Sequence, residues 1–179
     1  MERYRERISV VGTTGSGKTT VAKAISKSLL LPYIELDALY WDENWTGVSD
    51  EIFLDRVKEV VKADQWVIDG NYSRARYLVW ERAETVVYLD YSFTRNFWQL
   101  LKRTIRRSIT QEELWSNNRE SLRKSIFSHD SIMLWMIQTY HRRRRQYAKL
   151  IHQPEYAHLQ VVHLKSPKMT NEWLSSISR

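Results

Sequence analysis

Gly12-Thr13-Thr14-Gly15-Ser16-Gly17-Lys18-Thr19 satisfies G-x-x-x-x-G-K-S/T, and it follows directly on Ile8-Ser9-Val10-Val11, an apolar run of the length of a buried strand. After it comes Val21-Ala22-Lys23-Ala24-Ile25, a helix-like pattern that continues to Leu29. Strand, glycine-rich turn and helix in that order leave little freedom of architecture. Glycine at 12, 15 and 17 permits close backbone approach, so that successive N–H groups line a concavity, and the N-terminus of the following helix adds positive partial charge there. Residues 12–20, Thr20 included, are therefore expected to cradle phosphate groups, as those of ATP. Lys18 would reach the terminal phosphates, and Thr19 would offer its hydroxyl to Mg²⁺.

The chain has 179 residues, enough for one sizeable core and short for two. A single domain over residues 1–179 is expected, with a lid-like insert at about residues 108–125. No linker rich in Gly, Pro or Ser divides it. Cysteine is absent, which excludes disulfides, zinc–thiolate centres and thiol catalysis and fits a reducing cytoplasm. The apolar run after the charged start (Glu2, Arg3, Arg5, Glu6, Arg7) is too short for a signal peptide, and residues 132–137 are bounded by polar ones. No membrane span is predicted, and a cytoplasmic location is expected. The formal net charge of +7 is concentrated, because residues 101–150 hold 12 Lys and Arg against 4 Asp and Glu while the rest is close to neutral. Nucleotide phosphates, nucleic acid or bulk water would each accommodate such a region.

Strand-like runs fall at residues 8–11, 33–36, 66–68, 85–89 and 160–164, with helical patterns between them. That alternation predicts an α/β fold, three layers around a five-stranded parallel sheet, with the insert as a helical lid. Ser49 and Ser92 are expected to cap helices, a third helix spans about residues 131–151, and residues 169–177 form a closing one. Ligands of an open parallel sheet gather at the carboxyl ends of its strands. Glu35-Leu36-Asp37, Asp69-Gly70-Asn71-Tyr72 and Asp90 all lie there, and the residue pattern leaves Asp69 and Asp90 both open as the acid beside a metal. Asp37 is either a turn residue or a partner of a second substrate. Tyr40, Trp41 and Trp45 either line that substrate's pocket or close the edge of the core.

Arg142 to Arg145 cannot all face water at about 100° per helical residue. The apolar stripe through Met133, Ile137, Tyr140, Tyr147 and Ile151 points Arg144 inward, toward a nucleotide cleft or an acid such as Glu120, and leaves the other three solvated. Arg103 and Arg107 share a helical face, and Arg119 and Arg123 repeat the spacing. Residues 112–120 read as a lid tip or as a turn anchored by Trp115. The five histidines have no metal-ligand spacing, and no strand-elbow nucleophile is present.

Trp66-Val67-Ile68-Asp69-Gly70, with arginines at 74 and 76, resembles the strand-end D-G-x-P-R segment of adenylate kinase and other nucleoside monophosphate kinases. Asn71-Tyr72-Ser73 stands where those proteins have Pro-Arg. Together with Glu35-Leu36-Asp37-Ala38-Leu39-Tyr40-Trp41, the segment Trp66–Tyr72 is similar to adenylate-kinase-related bacterial proteins, a group also labelled DNA topology modulation proteins. The resemblance implies a P-loop kinase that transfers the terminal phosphoryl group of Mg-ATP to a small acceptor. It places the strand ending at Asp69 beside the phosphate-loop strand, with Asp69 and Thr19 holding Mg²⁺. It implies Arg103 on the adenine, Arg107 with Arg119 or Arg144 on the transferring phosphoryl group, Asp37 at the acceptor, and Ser166-Pro167 at the edge of the base. A nucleic-acid-associated ATPase and a nucleotide-binding regulator without turnover are the rivals. Oligomeric state is open.

Overall fold

The computed structural model describes residues 6–118 and 131–178. All five expected strands form: β1 (Arg7–Gly12), β2 (Tyr33–Glu35), β3 (Trp66–Asp69), β4 (Thr85–Leu89) and β5 (Gln160–Leu164). They make one parallel sheet in the order β2-β3-β1-β4-β5, so β1 is central and the loop after it opens between the ends of β3 and β4.

Seven α-helices connect the strands among the described residues: α1 (Lys18–Leu29), α2 (Leu36–Tyr40), α3 (Asp50–Val61), α4 (Arg76–Arg82), α5 (Phe93–Thr110), α6 (Ile132–Leu150) and α7 (Pro167–Ile177). Side-chain oxygens cap four of them, from Ser49, Ser92, Ser131 and Ser166, each accepting from the N–H three residues on. Helices α2 and α4 were not expected, because five and seven residues are too few to show a helical period.

The two-residue period of the strands divides the core. Ile8, Val10, Val67, Val87 and Leu89 face Val21, Ala22 and Ile25 of α1 and Ile177 of α7. Trp66, Ile68, Val86 and Tyr88 face the other layer, with Phe53 and Val57 of α3, Trp80 of α4 and Tyr147 of α6. Helices α5 and α6 pair through a cluster of their own, Leu100, Met133, Met136 and Tyr140. Each large side chain fully buried this way contributes about 1.5–3 kcal/mol relative to exposure.

Helix α5 runs to Thr110 before Gln111 ends it in the left-handed conformation, so residues 108–110 belong to that helix rather than to an excursion. No Gly or Pro interrupts it earlier. Residues 119–125 of the expected insert, with Arg119, Glu120 and Arg123, lie outside the described residues. Among the described residues no helix is long and apolar enough to cross a membrane.

Candidate active site

The phosphate loop is seated on α5. Gly15 has φ +80, and a Cβ there would stand 2.3 Å from the carbonyl oxygen of Asn96; Gly17 has φ +84, with the side-chain Nε2 of Gln99 2.7 Å from where its Cβ would be. Only glycine serves at both points. The Asn96 side-chain amide donates to Thr13 Oγ1 at 2.7 Å in a buried hydrogen bond. Ser16 Oγ is buried with no partner among the described residues, and the N-terminus of α1, capped by Gly17, has no side-chain acceptor. Lys18 Nζ donates to Thr13 O at 3.3 Å. Orphaned donors around a glycine nest suit a polyphosphate.

At the same sheet edge, Thr19 Oγ1 donates to Glu35 Oε1 at 3.4 Å, and Tyr33 OH donates to Asp69 Oδ2 at 3.2 Å. Asp69 is only 2% exposed, and burial, followed by the neighbouring Glu35 charge, pushes its carboxyl up to about 7. Burial draws the Lys18 ammonium down to about 8 against the opposing pull of Asp69 and Asp37, with Arg103 and Arg143 lowering it further. Asp69, at the end of β3, is thus the strand-end acid that acts on Lys18 of the loop. Asp90 is committed elsewhere: it accepts from Arg144 Nε at 2.6 Å and pairs with His163 Nε2 at 3.1 Å. Among the described residues no three His, Asp or Glu side chains are grouped as a metal cage. Thr19, Glu35 and Asp69 are hard oxygen donors of the kind Mg²⁺ takes when it arrives with phosphates and water. Sequence reasoning quoted Glu35 at the strand end and gave it no role; its place two residues before Asp37 was the available signal.

On α2, Asp37 Oδ1 accepts from Tyr72 OH. Arg74 stacks over Tyr40 at 4.6 Å and Phe53 at 5.1 Å and pairs with Asp50, which commits it to this aromatic packing. Tyr40, Trp41, Trp45 and Trp115 form a chain of edge-on contacts at 4.8, 5.7 and 6.2 Å. Arg76 lies over Trp80 and Tyr147 at 5.8 and 5.4 Å. The inward arginine of α6 is one residue earlier than expected. Arg144 is 47% exposed and locked to Asp90, whereas Arg143 is half-buried, reaches Asn71 O at 3.5 Å and has no carboxylate partner among the described residues. Arg144 does pair with an acid, as one alternative had it, but the acid is Asp90 at the end of β4.

Arg103 acts on Lys18 through space, while Arg107, with 14% of its side chain exposed, lies 3.7 Å from Glu112. The segment beyond α5 is a docked turn: Asn118 accepts from Trp45 N at 2.8 Å and donates to Asp42 O and Trp115 O, both at 2.8 Å. Ser166 and Pro167 begin α7, with Ser166 Oγ as its cap. The structure thus gathers Lys18, Thr19, Asp37, Asp69 and Arg103 at one edge and pairs Arg144 with Asp90 at the end of β4. Asn96, Asn71 and Arg143 were missed, since only the folded chain brings them to the loop.

The profile of the ATPase family associated with various cellular activities (AAA) matches residues 8–69, from β1 through the loop to Asp69. A gluconokinase from Sinorhizobium meliloti 1021 superposes with a TM-score of 0.56 at 20% identity, covering 99% of this chain and 94% of that one. The chain has the P-loop NTPase fold. A shikimate kinase from Bacteroides thetaiotaomicron gives 0.55 at 18% identity over 96% and 95% of the two chains. The shikimate kinase from Acinetobacter baumannii, solved in complex with shikimate, gives 0.52 at 14% identity over 97% and 90%. No curated protein matches the chain. The P-loop NTPase fold corrects nothing in the expected architecture, and these similar structures are small-molecule kinases rather than nucleoside monophosphate kinases.

Proposed function

We propose that this chain is an ATP-dependent phosphotransferase acting on a hydroxyl of a small acceptor. The observation that carries the reading is the glycine nest at the uncapped start of α1, with Ser16 Oγ unpartnered among the described residues, at the same sheet edge as the buried Asp69 carboxyl and the Asp37 carboxylate that Tyr72 holds. An acceptor hydroxyl oxygen would attack the terminal phosphorus in line, the bond to the bridging oxygen of ADP would break, and the hydroxyl proton would pass to Asp37, which Tyr72 orients. Lys18 would stay with the migrating group, and Arg103 and Arg107 would approach from α5. Thr19, Glu35 and Asp69 would hold Mg²⁺, which supplies charge neutralisation on the phosphate oxygens when bound. Arg119 retains the role implied by its spacing, and Ser166-Pro167 that of a base-edge turn.

Arg143 and Arg76 are half-buried, neither has a carboxylate partner among the described residues, and burial together with repulsion from Arg142 and Arg76 disfavours the Arg143 charge. An acceptor with a carboxylate or phosphate would relieve that repulsion. The deciding experiment follows ADP release by purified protein with Mg-ATP across gluconate, shikimate, other hydroxy acids, nucleoside monophosphates, nucleosides, neutral sugars and DNA. Acceptor-dependent release with an anionic hydroxy compound supports the proposal; stimulation by DNA alone overturns it.

A further inference from the structure

Strand β3 stops pairing with β1 at the Val10–Asp69 position, because Gly70, at φ +144 with Leu36 Cβ 2.6 Å from where its own Cβ would stand, turns the chain away. One residue later a side chain takes over the lost ladder. Asn71 Oδ1 accepts from the Gly12 N–H at 3.4 Å, and Asn71 Nδ2 donates to the Gly12 carbonyl. Both backbone groups of the first loop residue are thus held by one carboxamide. Its orientation is dictated, since Oδ1 also accepts from Tyr147 OH at 2.9 Å and only the amino group can meet a carbonyl. Arg76 lies over the Tyr147 ring at 5.4 Å, and the Asn71 carbonyl accepts from Arg143 at 3.5 Å. The next residue, Tyr72, holds Asp37.

We propose that Asn71 is the positioning residue that fixes the phosphate loop relative to the acceptor-side groups Asp37, Arg76 and Arg143. The proposal rests on the nucleotide-binding reading above. A loop entry held by two hydrogen bonds of one side chain keeps its N–H groups aimed, and a displacement of about 1 Å at a reacting centre costs about a hundredfold in rate. A purely space-filling Asn71 would tolerate leucine, which matches its volume without its polarity. A positioning Asn71 would not, because leucine leaves Gly12 and Tyr147 without partners.

The test is calorimetric titration of Mg-ATP into the full chain carrying Asn71→Leu, Asn71→Ala, Tyr147→Phe, or Asn71→Leu with Tyr147→Phe, with melting temperatures in parallel. Expected are about tenfold weaker binding in both Asn71 variants, about threefold in Tyr147→Phe, and no further loss in the double variant, because both act through one network. Tyr147→Phe removes a single oxygen and carries the test should the Asn71 variants not fold. Asn71→Leu binding like the wild type, or effects in the double variant that simply add, would overturn the proposal. Wild-type protein that binds no Mg-ATP would overturn the nucleotide reading itself, and this one with it.

Discussion

Asn96, on the first turn of α5, donates to Thr13 of the phosphate loop across 83 positions of sequence, and both side chains are shut off from solvent. The loop's conformation therefore depends on a helix that follows the fourth strand. Asn96→Ala leaves Thr13 Oγ1 buried without its donor, which costs about 1–3 kcal/mol of stability and is expected to weaken Mg-ATP about tenfold. Urea unfolding and calorimetric titration measure the two effects. An unchanged midpoint with unchanged affinity would show that the loop holds its shape alone.

Gly15 faces a stricter limit. Alanine there must adopt φ +80 and sit 2.3 Å from a backbone oxygen, so either the loop or α5 has to move. Gly15→Ala is expected to abolish measurable ATP binding and to lower stability by roughly 2–4 kcal/mol. Wild-type affinity in this variant would contradict the seating of the loop.

Lys18→Ala removes the only cation within the loop's own sequence. Acceptor-dependent turnover is expected to fall by about 10²–10³-fold while far-ultraviolet circular dichroism stays unchanged. Steady-state kinetics with the acceptor found in the panel gives the comparison.

Metal-free stability should depend on pH with a definite sign. Asp69 keeps its proton up to about pH 7 in the fold against 3.8 as its ordinary value. Across that window the folded state binds the extra proton, so this group makes stability fall as pH rises and ceases to change it above about 7. Lys18, drawn down from 10.5 to about 8, acts oppositely: between those values the unfolded chain holds the extra proton, and stability rises with pH. The readout is the difference between wild type and Asp69→Asn in urea unfolding from acid to neutral pH with chelator present. The wild type should lose on the order of a few kcal/mol more than the variant across the acid window. A difference of the opposite sign would refute the burial-driven shift.

The two neighbouring arginines of α6 should separate cleanly. Arg143→Ala is expected to lower acceptor-dependent kcat/KM at least about tenfold with an unchanged melting temperature. Arg144→Ala takes one of two partners from the 9% exposed Asp90 carboxylate, leaving His163, and is expected to cost about 1–3 kcal/mol of stability with little effect on kcat/KM. Reversal of these outcomes would restore the inward role that the apolar stripe suggested for Arg144.

Much of the fold could be read along the chain. The five strands appear where near-continuous apolar runs lie between turns, and Ser49 and Ser92 cap the helices expected of them. Both signals are local, since period and capping act within a few residues. Helices α2 and α4 escaped because one or two turns give no measurable period. The choice between Asp69 and Asp90 rested on a resemblance, because both close apolar strands equally well. Both strands flank β1, so strand order leaves the two alike; their partners differ, with Asp69 acting on Lys18 of the loop and Asp90 drawn to Arg144 and His163.

Residues 12–19 specify the phosphate-binding loop whatever surrounds them, because glycine placement and the strand-to-helix transition are properties of consecutive residues. Which side chains hold that loop and face its ligand is a matter of long-range assembly. Asn96 reaches it from α5 and Asn71 from the turn after β3, while Arg143 meets Asn71 from a helix seated by its buried Met136, Tyr140 and Tyr147. Pairings between residues 59 to 83 positions apart leave no period or motif along the chain, so they exist only once the layers have packed.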